Sequence, residues 1–215
     1  MVWPPDKMAI SNPFTLPVET SYGTLEFEYK AFQTGQEGYA VLKKAWGVRI
    51  PPLIRIESVC FFGQLFNSAK CNCGIQLEEA LVRIGSEGGL VVMAMHQDGR
   101  GISLVDHANA YALQETGLDT VDSYKALGLK VDYRDFSGAA KIIRQHYGIT
   151  EAQLITNNPE KIKALENEGI TVKAINALVS LDRLNEWRAR QFIAAPRMGQ
   201  NIPSAYMQTL LKIVK

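Results

Sequence analysis

Segments of strand and helix character alternate through residues 53–175, and no other feature of the 215-residue chain restricts its fold as much. The runs at 53–59, 90–95, 152–155 and 170–175 read as strands; 90–95, apolar throughout, reads as a buried one, and so does 152–155. Between them, Ile75, Leu77, Ala80, Leu81 and Ile84 share one face of a helix that stops near Gly88 and Gly89. Residues 103–116 and 137–147 read as further helices. Asn158 and Pro159 open another, with proline at its first position, and it ends at Gly169. From 23 to 60, shorter β-prone runs at 25–29 and 39–42 are broken by Gly and Pro. The pattern predicts an α/β (mixed α+β) class: a β-rich N-terminal part, then alternating strands and helices around a mixed sheet. The expected organisation is an irregular, proline-bearing lead-in over 1–22, the main folded unit over 23–178 and a helical tail over 179–215.

Three cysteines, Cys60, Cys71 and Cys73, are the only ones present and fall within fourteen residues. Thiolates are good zinc ligands, and a site with three protein ligands keeps a fourth position open for water, unlike a closed structural site. The C-x-C pair lies just ahead of the first helix, with Gly74 allowing the turn, and the positive end of that helix would favour thiolates. The spacing also suits a Cys60 buried on a strand beside two free thiols. An odd, clustered set fits a reducing compartment better than a disulfide framework. The N-terminus, MVWPPDKMAISNPF, has neither a basic leader nor an apolar stretch, and no run approaches the roughly 20 residues that span a bilayer. A net charge of +1 gives no hint of a general nucleic-acid or anionic-membrane surface. The expectation is a cytoplasmic protein with no nucleic-acid or membrane partner.

Three further clusters carry chemistry. His96-Gln97-Asp98-Gly99-Arg100-Gly101 follows the 90–95 strand; its glycines would let backbone amides approach an anion, and Arg100 offers a bidentate fork. Taken alone it also reads as a glycine-rich turn with a solvated arginine. His96 reads as a rim residue, and His107 and His146, on expected helices, as facing solvent or packing neutrally. Arg134 lies between Asp132 and Asp135, as a structural ion pair or, in a pocket, a phosphate clamp. Thr156 to Lys161 brings hydroxyl, amides and a lysine to a strand end and helix start, where anions bind, with Asn158 as helix cap.

Together these motifs resemble the GTP cyclohydrolase II family. The likeness runs over 52–172 and comprises RIES-C, KCNCGIQLE, QDGRGISL, AYALQETGLDT, ALGLKVDYRDF and LITNNPEKI in the family's order. It implies that 23–178 is a catalytic domain performing zinc-dependent hydrolytic opening of the guanine imidazole ring of GTP. Formate and pyrophosphate would leave, in the first step of riboflavin synthesis. It implies one Zn2+ per chain on Cys60, Cys71 and Cys73, with Tyr111 orienting water or steadying ring opening. Arg134 would attack the α-phosphorus with Asp132 as proton acceptor, or more simply clamp the phosphates. Substrate contacts would fall on Arg55, Ser58, Gln76, Asp98, Gly99, Arg100, Thr120, Thr156 and Lys161. Mg2+ would bridge triphosphate oxygens, and the family's habit implies a homodimer. The chain departs from the family pattern at Glu57 (for histidine), Val59 (for glutamate), Gln64 (for aspartate), Lys70 (for arginine) and Asp98 (for glutamate). Those departures admit a paralogue acting on another purine or pyrimidine nucleotide or base. They also admit a non-catalytic nucleotide-binding protein with a structural zinc.

Overall fold

The computed structural model describes residues 7–175, so the tail expected over 179–215 lies outside the described residues. Half-buried, β-prone segments build four antiparallel strands: β1 (Ala9–Ile10), β2 (Phe14–Thr20), β3 (Gly23–Thr34) and β4 (Glu37–Lys44). The β2–β3 register sets Leu16 opposite Phe27 and Val18 opposite Leu25, one apolar pair after another on the same face. The irregular lead-in expected over 1–22 is therefore corrected, since residues 9–10 and 14–20 are strands of the sheet. Proline misled the reading there. Pro17 fits because β2 pairs on one side only, and an edge strand can spare an N–H.

The second half adds β5 (Leu53–Ser58), β6 (Gly89–Ala94), β7 (Glu151–Ile155) and β8 (Thr171–Ile175). The eight strands of the described residues form one sheet, ordered β1-β3-β4-β6-β5-β7-β8 with β2 beside β3. Pairing is antiparallel as far as β4–β6 and parallel from β6 through β8, which is the mixed sheet expected.

Among the described residues, five helices cover the sheet and its carboxyl edge: α1 (Cys73–Glu87), α2 (Leu104–Glu115), α3 (Thr120–Ala126), α4 (Ser137–Lys141) and α5 (Pro159–Asn167). The expected 137–147 helix is α4 followed by a wider turn over Ile142–His146, which buries Ile142 and Ile143. Alternation along the strands divides two cores. Ile54, Ile56, Leu90, Val92 and Leu154 pack with Ala139, Ile143 and Leu165; Leu53, Val91 and Ile155 pack with Phe27, Leu81 and Ile84 of the α1 side. The same two-residue period turns Arg55 and Glu57 of β5 toward α1, where both are buried. The return from α1 into β6 depends on Gly89: φ is +146°, and a Cβ there would lie 1.9 Å from the Leu53 carbonyl oxygen.

Three parallel strands deliver the chemistry-bearing loops to one edge. β5 runs out to Cys60, β6 to Gln97–Arg100 and β7 to Thr156, so all three emerge at the carboxyl ends, where open α/β sheets form ligand crevices.

Candidate functional site

Cys60 lies two residues past the end of β5 and caps a single wide turn, Phe61–Leu65. Its sulfur accepts from the Gly63 N–H at 3.4 Å while its own N–H donates to Gln64 Oε1 at 3.0 Å, a reciprocal cap with cysteine as the capping residue. Cys71 precedes α1 and Cys73 is its first residue, so the helix begins two residues earlier than its apolar face indicates. The three sulfurs lie within 4.8 Å of one another, with Cys60 and Cys71 3.8 Å apart. A tetrahedral metal with metal–sulfur distances of about 2.3 Å places its sulfurs roughly 3.8 Å apart, and a disulfide needs about 2.05 Å. The donor set therefore fits zinc. Tyr111 hydrogen-bonds Cys71; burial, then the Cys71 charge, holds its phenol protonated. Hydrogen bonds from Cys60 and then Cys73 lower the Cys71 pKa, and its bond to Cys71 pushes the Cys60 thiol up to about 11.

Two glycines make this closeness feasible. A Cβ on Gly63 would sit 2.5 Å from Cys71 Sγ, and one on Gly74 would sit 2.6 Å from the Gly63 carbonyl oxygen. Gly74 lies inside α1, so its role is close approach rather than the turn expected. Gly63→Ala should displace Cys71 and weaken zinc about 10- to 100-fold, the range seen when a ligand's surroundings are disturbed. Competition against a chromophoric chelator measures it.

A cavity of about 510 Å³ opens beside the trio, within the usual range for small-molecule sites. Of the catalytic, substrate-contact and metal residues expected from the sequence, all line it except Asp98 and Asp132, which stand behind residues that do. Asp132 accepts from Arg134 Nε at 2.9 Å and Nη2 at 2.5 Å, and from the Arg134 N–H at 3.0 Å. Burial opposes its ionisation, but these bonds prevail and its pKa is lowered. Asp98 accepts from the Phe61 N–H at 3.0 Å and pairs with His107 Nδ1 at 2.9 Å; again burial opposes and the bonds, His107's first, lower its pKa.

Of the two alternatives expected for His107, facing solvent or packing inside, the solvent-facing one is corrected. His107 is buried, lines the cavity, and has the Phe62 and Tyr111 rings at centroid distances of 4.7 and 5.1 Å. Gly99 permits this, with φ +54° and a would-be Cβ 2.6 Å from His107 Cγ. An aspartate nine residues before a histidine is too common a spacing to read from sequence.

The remaining site residues are held by local structure. Arg100 Nη1 donates to the Val131 carbonyl at 3.4 Å, and its guanidinium lies 5.9 Å from the Tyr124 ring. Thr120 opens α3 behind the Asp119 cap. Ser58 Oγ donates to Gln97 Oε1 at 3.2 Å. Thr156 Oγ1 accepts from the Asn158 N–H, and Asn158 caps α5 as expected, accepting from Glu160 at 3.0 Å. Two of the positions read as departures from the family pattern, Glu57 and Gln64, bond one another. Glu57 pairs with Arg55 at 2.6 Å and accepts from Gln64 at 3.1 Å, and Lys70 pairs with Glu115 at 2.5 Å beneath Tyr111. Glu57 and Val59 both line the cavity.

Lys161, in the first turn of α5, is 5% exposed and donates to the Ile56 carbonyl at 2.7 Å. Burial, then the Arg55 charge, lowers its pKa from 10.5 to about 7. The folded chain thus sheds this proton well before the unfolded one. The cost of burying the charge is present below about pH 7 and is relieved as pH rises from there toward 10.5. Anion affinity runs the other way, because the cation is lost above that value. Binding of a nucleoside triphosphate should weaken as pH rises through about 7, and Lys161→Met should flatten that slope in titrations read by calorimetry.

Among the described residues, no helix is long and apolar enough to cross a membrane. Residues 12–176 match the family model described as GTP cyclohydrolase II. The GTP cyclohydrolase-2 of Helicobacter pylori is 40% identical over 161 residues, 74% of this chain and 82% of that protein. That of Azotobacter vinelandii is 44% identical over 139 residues, 65% of this chain and 66% of that protein. The riboflavin biosynthesis protein RibBA of Parabacteroides distasonis is 40% identical over 164 residues, 76% of this chain. The match spans only 40% of that RibBA, and 35% of the RibBA of Cytophaga hutchinsonii.

Proposed function

The chain belongs to the GTP cyclohydrolase II family, and from that premise we propose that it hydrolyses GTP, opening the guanine imidazole ring with release of formate and pyrophosphate. One juxtaposition supports this most: the thiol trio and the cations Arg100, Arg134 and Lys161 line the same cavity. A zinc ion held by Cys60, Cys71 and Cys73, one per chain, would supply a Lewis acid that makes water nucleophilic near neutral pH. Tyr111, kept protonated beside Cys71, is the donor that orients the attacked ring. Arg100 and Lys161 meet the phosphates, and Mg2+ accompanies the triphosphate to offset its remaining charge. Ser58, Thr120 and Thr156 offer hydroxyls, the Gly99 backbone permits close approach, and Arg55 and Gln76 face the base.

For Arg134 the clamp is the better role. Attack on phosphorus by a guanidinium requires a base to remove its proton, and Asp132, with its pKa lowered by Arg134 itself, is a weak base. The bidentate Asp132 pair fixes the guanidinium plane, as phosphate recognition requires. The enzyme would act as a cytoplasmic homodimer.

The test is direct. Purified, zinc-loaded protein given GTP and Mg2+ should release formate and pyrophosphate in equal amounts while diaminopyrimidine absorbance rises. Unchanged GTP would contradict the reading. The cavity-facing Glu57 and Val59 favour one other reading, a different nucleotide as substrate, and such a ligand would raise the melting temperature where GTP does not.

A further inference from the structure

We infer that a hydrogen-bonded belt of side chains positions the three cysteines and couples metal affinity to occupation of the cavity; the inference rests on the zinc reading above. The belt is continuous. The Cys60 N–H donates to Gln64 Oε1 at 3.0 Å, and Gln64 Nε2 donates to Glu57 Oε1 at 3.1 Å. Glu57 Oε2 accepts from Arg55 Nε at 2.6 Å, Arg55 Nη2 donates to Gln76 Oε1 at 3.1 Å, and Gln76 Nε2 donates to Asn72 Oδ1 at 2.9 Å. Asn72 is the residue between Cys71 and Cys73. One end therefore holds the first cysteine and the other end the remaining two.

The polarity of the belt is fixed. Cys60 N–H only donates, Glu57 as a carboxylate only accepts, and Arg55 only donates. Turning over the Gln64 amide would set donor against donor at Cys60 and acceptor against acceptor at Glu57. Turning over Gln76 would do the same at Arg55 and Asn72. The centre, Arg55 with Glu57, is buried and charged, so opening the chain there leaves an uncompensated ion. Two departures from the family pattern, Glu57 and Gln64, thus answer one another across a single hydrogen bond.

A function beyond support follows from where the belt runs. Arg55, Glu57 and Gln76 line the cavity, whereas Gln64 does not. A ligand that engages Arg55 or Gln76 alters the bonds that orient the cysteines, and by reciprocity the metal alters the affinity for that ligand. Gln64 and Asn72 act through their neighbours and are positioning residues.

The experiment uses Gln64→Met and Gln76→Met, singly and together, since methionine keeps the length and loses the bonds. Zinc affinity by chelator competition should fall about 10- to 100-fold in each single variant, with little change in melting temperature. The double variant should fall little further, because either cut opens the belt. Zinc loading should tighten a non-hydrolysable GTP analogue on the wild type, and Gln64→Met should abolish that gain. Wild type that binds zinc, beside single variants with affinity unchanged within about twofold, overturns the belt alone; so do losses that multiply in the double variant. Wild type that binds no zinc overturns the metal reading and the belt with it.

Discussion

Arg134→Ala is expected to lower kcat on GTP by about 10³-fold while zinc content and melting temperature stay at wild-type values. The guanidinium spends Nε and one terminal nitrogen on Asp132, and its remaining edge lines the cavity. Removing it deletes a preorganised cation and its contact with the rim of one core at Phe136, 5.5 Å from the guanidinium, and touches no cysteine. Arg134→Lys should recover little, because an ammonium cannot reproduce the fork that Asp132 orients. Asp132→Asn should fall between, costing roughly 10-fold, since an amide still accepts one of the two bonds but no longer opposes the charge. Single-turnover kinetics with GTP measure all three. A loss below about 10-fold in Arg134→Ala would remove the arginine from the chemistry.

Glu57→Leu should be the most destabilising change outside the glycines, at about 3–5 kcal/mol, because it strands a buried guanidinium. Arg55 and Glu57 side chains are only 6% and 7% exposed, and the Arg55 Nε–Glu57 bond at 2.6 Å is the shortest that Arg55 makes. For a domain of this size the loss corresponds to a melting temperature lower by about 10 °C. The paired change Arg55→Met/Glu57→Leu should regain most of it, since replacing a whole buried ion pair by apolar groups is often neutral. Calorimetric melting of the single and double variants decides the matter. A double variant as unstable as the single one would mean that packing, not charge, sets the loss.

How much of this was legible beforehand varies with the kind of interaction. Apolar continuity marked β6, and helical spacing marked α1, because burial on two faces or on one leaves a trace in the sequence. Residues 9–20 left no such trace. An edge strand needs few apolar residues and tolerates Pro17, so its pairing with β3 is written in the partner rather than in itself. The cysteines were legible as a cluster, but the reason Gly63 and Gly74 must be glycine was not, since it lies in contacts between two turns. The place of His107 was hidden for the same cause: its partner Asp98 sits on another element, and only the fold brings them within 2.9 Å. Glu57 and Gln64 read as two separate departures from a pattern, and only the fold joins them in one hydrogen bond.

Zinc K-edge X-ray absorption on the purified, unchelated protein tests the central claim most directly. The account predicts one zinc per chain with three sulfur scatterers at about 2.3 Å and one lighter oxygen or nitrogen scatterer at roughly 2.0–2.2 Å, the signature of an open three-thiolate site. A sample without zinc, or a closed shell of four sulfurs, would contradict it.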